Sequence, residues 1–350
     1  MKPDNFMQKT RKRKNTGRVT LQDVAKYAGV GSMTVSRALR TPELVSDKLR
    51  EKINEAVEEL GYIPNLAAGI LASGQSRTIA VLIPSLRDNA SSAFLQSLQE
   101  VLNKNSYQVV IGSHDYQHKK ESEVLTTLLQ SSPAALVIFG AINSESVLST
   151  LKNIAIPVIN VAGESNYPFT LNIKSHCGEA VNFLTNYLLQ KGYQRIGYIG
   201  AQMDSKMQSQ QLSGWNKALL SHNLSAEQSI TTPYVATMDF GRQAISEMLT
   251  RQPELEAVIC SHEMIALGVI FECQRRLIKI PKMLAVVCVE GSENCDHIHP
   301  SLTSARIDYS KMARETARRL QRWLEGTEEN YENIQEEIVF PYKFEARQSG

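Results

Sequence analysis

Three short stretches carry residue types that could do enzymatic chemistry, and each falls short of its pattern. His262-Glu263-Met264-Ile265-Ala266 begins as a zinc-protease helix begins, but Ala266 stands where the second histidine is needed. Gly197-Tyr198-Ile199-Gly200 follows an apolar run but lacks the G-x-G-x-x-G spacing that brings backbone close to a pyrophosphate. Asp296-His297-Ile298-His299 holds metal-type ligands, a pattern that also reads as a solvated loop. No GxSxG turn and no P-loop is present. Cys177, Cys260, Cys273, Cys288 and Cys295 are odd in number with no CxxC spacing, so reduced, packed thiols are expected, not a disulfide frame or a zinc site. The expectation is a non-enzyme with no cofactor and no bound metal.

A fourth group sits on a different background. Ser32, Met33, Thr34, Ser36 and Arg37 fall on the outward side of a short helix, about Ser32 to Leu39, whose Val35, Ala38 and Leu39 face inward. Short polar side chains can bond phosphates, and an arginine can reach guanine edges. The elements that would hold this helix are legible. Thr20 is a good N-cap for a helix from Leu21, with Asp23 placed to reach back to the cap. Leu21, Val24, Ala25 and Ala28 give that helix a buried face, Gly29 can end it, and Val30 can pin the turn. A third helix is expected from a Ser46 cap to Leu60, with Leu49, Ile53, Ala56, Val57 and Leu60 inward and Gly61 at its stop. Helix, tight turn and short helix is the geometry that sets a second helix in the major groove. A small structural three-helix bundle is the alternative.

Charge agrees with a polyanion partner at one end. The chain of 350 residues has a net charge of +2, yet residues 1–78 hold 14 Lys and Arg against 8 Asp and Glu, a balance of +6, leaving −4 for the rest. No run approaches the roughly 18 apolar residues of a membrane span. The basic, polar start is not a secretory signal, so a cytoplasmic protein is expected. Arg11-Lys12-Arg13-Lys14 reads as a solvated disordered tail or as added phosphate contacts.

Behind Arg77 short apolar strands alternate with amphipathic helices. Strands are expected at Thr78–Pro84, Tyr107–Gly112, Ala135–Phe139 and Pro157–Val161, then at Arg195–Gly200, Ala257–Ser261 and Leu284–Val289. Helices are expected at Phe94–Asn105, Gly178–Lys191, Phe240–Arg251 and Met264–Leu277. Such alternation means parallel sheets covered on both faces, and two series mean two lobes with a ligand cleft at the strand ends.

The segment from Val19 to Ala72, with TLQDVAKYAGV, MTVSRAL and VSDKLREKINEAVEELGYIPN, resembles the DNA-binding head of the LacI family. The resemblance implies an all-α helix-turn-helix head on a two-lobed α/β, periplasmic-binding-protein-like sensor domain with two parallel sheets. It implies a basic tail over 1–17, the head over 18–63, a hinge over 64–76 and the sensor over 77–345. It implies a sequence-specific regulator, a repressor of carbohydrate or sugar-acid genes, that binds a two-fold symmetric double-stranded DNA operator as a homodimer. Residues matching Ser32 and Met33 read bases, and the one matching Arg37 touches DNA; Thr20, Thr34 and Ser36 are placed with them. In the hinge the resemblance puts Asn65, Ala68 and Leu71 at the minor groove, Leu71 as the wedge between base pairs. Gly31 departs from the usual Ser or Thr cap of the recognition helix, Leu66 from the common arginine, and Gly69 lowers helix propensity by about 1 kcal/mol. No leucine heptads follow, so no helical tetramerisation tail is expected.

The head, Ile83-Pro84-Ser85-Leu86 and Phe271-Glu272-Cys273-Gln274-Arg275 resemble the gluconate-repressor branch, which implies a sugar acid as effector. The pocket positions disagree. Ser91 stands for an aromatic, His176-Cys177 for Asp-Asn, Gln211 for a cation, His262-Glu263 for Asn-Asp, and Glu290 for Asp. Ser85, Ser91, His176, Gln211, His262 and Glu290 are therefore the candidate effector residues, for a ligand other than a simple aldonate. Arg87 and Lys174 are the cations that could compensate for Gln211. His176 and His262 could cap helices, or they could meet the phosphate or carboxylate of a phosphorylated sugar or sugar acid, with pH-dependent binding between about 5 and 8. A degenerate pocket, leaving a constitutive regulator or one read by a protein partner, is the alternative.

Overall fold

The computed structural model describes residues 19–64, 76–142, 144–163, 169–201, 206–326 and 335–350. It divides into two units, Met1–Gln75 and Ser76–Gly350. The basic tail and the hinge residues Asn65, Ala68 and Leu71 lie outside the described residues.

The first unit is built from α1 (Leu21–Ala28), α2 (Ser32–Arg40), a single 3-10 turn (Pro42–Leu44) and α3 (Asp47–Leu60). The Thr20 N–H donates to Asp23 Oδ2 at 2.8 Å and the Asp23 N–H donates back to Thr20 Oγ1 at 3.4 Å, a reciprocal cap that starts α1. Gly29 ends α1 at φ 63, in the left-handed region where a Cβ is costly. Ser46 does occupy the N-cap of α3, but its hydroxyl makes no cap bond. The first turn carries Asp47 instead, a carboxylate that suits the positive helix end and pairs with Arg50 at 2.6 Å. Val24, Ala28, Val35, Ile53 and Ala56 form the core, with Val30, Leu49 and Leu60 packed around it.

The second unit has two lobes. Lobe 1 opens with β1 (Thr78–Ile83), α4 (Asn89–Lys104), β2 (Gln108–Ser113), α5 (His118–Gln130), β3 (Ala135–Phe139), α6 (Glu145–Leu151), β4 (Val158–Val161) and β5 (Leu171–Ser175). Lobe 2 follows with α7 (Cys177–Gln190), β6 (Ile196–Gly200), α8 (Lys206–Ser221), β7 (Ser229–Thr231), α9 (Met238–Arg251), β8 (Ala257–Cys260), α10 (Glu263–Arg275), β9 (Ala285–Val289) and β10 (Thr303–Arg306). The chain then returns to lobe 1 for α11 (Tyr309–Leu324) and β11 (Glu336–Phe340), and crosses once more to lay β12 (Lys343–Glu345) on lobe 2.

The sheet of lobe 1 runs β11-β5-β4-β3-β1-β2, with every neighbour parallel. The sheet of lobe 2 runs β12-β10-β9-β8-β6-β7, parallel except for the β10–β12 edge. The central strands are nearly continuous apolar runs, rich in Val, Ile, Leu and Ala, because helices cover both of their faces. The seven strands expected from the sequence are present, within a residue or so of their bounds, and β5, β7, β10, β11 and β12 were not foreseen. On lobe 1 the return helix α11 sets Met312, Ala313, Ala317, Leu320 and Trp323 against Phe94, Leu98 and Leu102 of α4. All five cysteines are free and buried.

Candidate DNA-reading helix and effector cleft

On α2 the apolar stripe fixes which side faces out. Val35 and Ala38 are buried, while Ser32, Arg37 and, at 79% exposure, Met33 are presented to solvent; Thr34 and Ser36 are half-buried. A methionine left that open costs apolar burial with no return inside the unit. Gly31 occupies the N-cap without any side-chain bond, as its lack of a side chain dictates. Thr20 is exposed, but its hydroxyl is engaged with Asp23 Oδ2 at 2.7 Å.

The cleft is assembled at the carboxyl ends of the strands. Asp88, which sequence reasoning missed, follows β1 and caps α4: Oδ1 accepts from the Ala90 N–H at 3.3 Å and Oδ2 from the Ser91 hydroxyl at 3.2 Å. His262 follows β8 and caps α10, its Nδ1 accepting from the Met264 N–H at 3.2 Å. That bond leaves the ring proton on Nε2, which faces Asp88 Oδ1 across the lobes at 3.8 Å. Glu290 follows β9 with φ 56, a strained value for a side chain with a Cβ. Its Oε1 accepts from Gln211 Nε2 at 3.2 Å, and Gln211 Oε1 accepts from the Tyr198 hydroxyl at 3.3 Å.

The electrostatics follow from this crowding. Burial pushes the Glu290 carboxyl up to about 7, His262 opposes, and the Asp88 charge adds to the rise. For His262 burial disfavours the charged ring, but the Asp88 bond and the Glu290 and Asp88 charges outweigh it and hold its pKa above the usual value. Tyr309, at the start of α11, is kept protonated by burial and by the nearby Glu290.

Of the candidate effector residues, Ser91, Gln211, His262 and Glu290 thus join one polar cluster with Asp88. Ser85 is buried at the end of β1, with its hydroxyl 3.4 Å from Asp115 Oδ1 and accepting from the Arg87 N–H at 3.2 Å. His176 caps α7 by position only, makes no cap bond, and is exposed. Lys174 is paired with Glu337 at 2.7 Å, and Arg87 is exposed. The signal that could have found Asp88 is its own cap pattern, an Asp a short loop behind an apolar strand and immediately ahead of a helix.

A three-helix head with an outward polar helix, ahead of two parallel-dominated sheets with polar groups gathered at their strand ends, is the arrangement of a DNA-binding regulator with a periplasmic-binding-protein-like domain. Residues 20–65 match the family profile "Bacterial regulatory proteins, lacI family", and residues 185–349 match the periplasmic binding protein-like domain. The chain is 31% identical over 303 residues to the HTH-type transcriptional regulator GntR of Escherichia coli K12, covering 87% of this chain and 91% of that one. The crystal structure of a LacI-family transcriptional regulator from Silicibacter pomeroyi is 29% identical, covers 95% of this chain and 99% of its own, and superposes with a TM-score of 0.85. The lac repressor dimer bound to operator and the anti-inducer ONPF shares the fold, at a TM-score of 0.83 and 23% identity over 95% of this chain and 99% of that one.

The chain belongs to the LacI family of bacterial DNA-binding transcriptional regulators, and it is not an enzyme. Among the described residues no His, Cys, Asp and Glu group could hold a metal, and no helix is long and apolar enough to cross a membrane.

Proposed function

We propose that this protein is a cytoplasmic repressor of carbohydrate or sugar-acid genes, a homodimer on a two-fold operator whose affinity is set by a small ligand in the cleft. The observation that carries the reading is the cluster of Asp88, Ser91, Gln211, His262 and Glu290, polar groups drawn from both lobes to one place between the sheets. Polar groups gathered at strand ends are what a ligand that bridges two lobes requires. Ligand closure moves one lobe against the other, and a coupling of about 1–3 kcal/mol to operator binding is of ordinary size. The dimer reading is supported by apolar side chains left exposed on the edge strand β2, Val110 and Ile111, and by Phe271 on α10. Ser32 and Met33 take the base-reading role, Arg37 a further DNA contact and Leu71 the minor-groove wedge.

A second reading has one observation in its favour. Asp88 with His262, and Tyr198 with Gln211 and Glu290, engage one another without a ligand, as the groups of a degenerate pocket would. A thermal-shift panel of sugars, sugar acids, sugar phosphates and nucleosides separates the two, with operator binding measured alongside. A ligand at 100 times its Kd adds about 2.7 kcal/mol to stability. A hit that also changes operator affinity supports the sensor; a blank panel with intact operator binding supports the degenerate pocket.

A further inference from the structure

Two carboxylates meet at the cleft from opposite lobes, Asp88 behind β1 and Glu290 behind β9. The charged groups that act on Glu290 are His262 and Asp88; those that act on His262 are Glu290, Asp88 and Glu263. Among the described residues no ammonium or guanidinium acts on either. The two cations that the sequence offered are spent or turned away, Lys174 on Glu337 and Arg87 in solvent. Glu263 is itself occupied, its Oε2 accepting from the Ser292 N–H at 2.7 Å.

The cluster is also short of hydrogen-bond donors. An ionised carboxylate accepts at about four lone-pair sites and donates nothing. Asp88 receives one bond on each oxygen from its own helix start, and Glu290 receives Gln211 on one oxygen. His262 contributes a single N–H, and the Gln211 carbonyl is taken by Tyr198. Above about pH 7, where Glu290 is ionised, a ligand carboxylate placed here adds a third anion and no donor, and an uncompensated buried charge is among the costliest states in a protein. A protonated amine adds three donors and the missing charge.

We propose, resting on the reading of this cleft as the effector site, that the effector is a polyhydroxylated compound presenting a protonated amine, not a carboxylate, to Asp88 and Glu290. Its affinity has a pH signature. Glu290 is faced by Asp88 from the β1–α4 loop, His262 from the start of α10, Gln211 from α8, Tyr198 from β6 and Tyr309 from α11. The two tyrosines stay protonated, so a rise in pH ionises Glu290 and discharges His262, and both changes favour a bound ammonium.

Gluconate, glucitol and 1-amino-1-deoxyglucitol share one hydroxylated chain and differ in the group on the first carbon. Calorimetric titration of the full-length protein with each is the test. The amine should bind about ten- to a hundredfold tighter than gluconate, with glucitol between, and it should gain affinity from pH 6 to pH 8. In Asp88→Asn/Glu290→Gln, where Asn still caps α4, that order should collapse while a cooperative melt shows the fold retained. Gluconate or glucitol binding tighter than the amine overturns the inference and leaves the sensor reading in place. A blank with all three overturns it as well, and the wider thermal-shift panel then tells whether the sensor reading falls with it.

Discussion

Asp88 and His262 face each other across the cleft at 3.8 Å, and each is the N-cap of its own helix, α4 in lobe 1 and α10 in lobe 2. One contact therefore registers the starts of two helices in different lobes. A ligand that enters between them must displace or extend this pair, and any shift of the ring is passed to the cap of α10. Local capping and interlobe contact are the same few atoms.

The titration of His262 reports on that pair. Its pKa is held above 6.5 in the folded protein, so its contribution to stability is fully present below about 6.5 and is lost as pH rises through the folded value. Charging Nδ1 also removes the acceptor for the Met264 N–H, a cap worth about 1 kcal/mol, which limits the rise. Asp88→Asn should lower the midpoint of the His262 ring proton in an NMR titration. An unmoved midpoint would show that the two side chains do not interact in solution.

Glu290→Gln should stabilise the protein at high pH and not at low pH. The carboxyl keeps its proton up to about 7 in the fold but loses it near 4.5 when unfolded, so wild-type stability falls between those values. Replacing it with an amide that retains the Gln211 contact removes the fall. Because Glu290 is partly open to solvent, the gain at pH 8 is put at about 1–3 kcal/mol. Denaturant melts of both proteins at pH 4.5 and pH 8 measure it; parallel curves at the two pH values would refute it.

Arg37 is exposed on the outward side of α2, and its loss should cost about 1–3 kcal/mol on operator DNA. If it reads a base, Arg37→Ala relaxes discrimination at one base pair per half-site. If it binds phosphate alone, affinity drops equally for all sequences and the salt slope falls by about one unit. Fluorescence anisotropy with single-base operator variants at several salt concentrations distinguishes these outcomes.

Gly214→Ala should destabilise the second unit although alanine is the better helix former. A Cβ there would land on the Gly178 carbonyl oxygen, so α7 and α8 can pack this closely only with glycine at the crossing. Overpacking of this kind costs about 1–3 kcal/mol, more than the roughly 1 kcal/mol of helix propensity gained. Urea unfolding followed by tryptophan fluorescence provides the comparison, and a midpoint equal to wild type would count against it.

What could be read from the sequence was local. The Thr20–Asp23 cap needs two residues three apart, and the Thr78–Ile83 strand needs one apolar run, so both were legible. The missed strands lack such runs: β10 is Thr-Ser-Ala-Arg, β12 is Lys-Phe-Glu, and both are strands because of the neighbours they pair with. Ser46 shows the converse, a residue of the right type at the right place whose hydroxyl makes no cap bond. Gln211, His262 and Glu290 could be singled out by the residue types expected at their places. Asp88 offered its cap pattern, but its place in the cleft could not be read, because its partner in the other lobe is fixed by how the sheets face each other, and no spacing encodes that.

The return of the chain to lobe 1 has a consequence for synthesis. When a ribosome has released everything up to β5, the first sheet still lacks its edge strand β11, and Phe94, Leu98 and Leu102 have no α11 to cover them. Lobe 1 begins first and finishes after nearly all of lobe 2 has emerged. A fragment cut at the first crossing, near His176, carries an open apolar helix face and a β5 whose outer edge is unpaired. The two lobes are separate in space but not separable as gene segments, so an exchange of one lobe between relatives has to transfer α11 and β11 together with the front half.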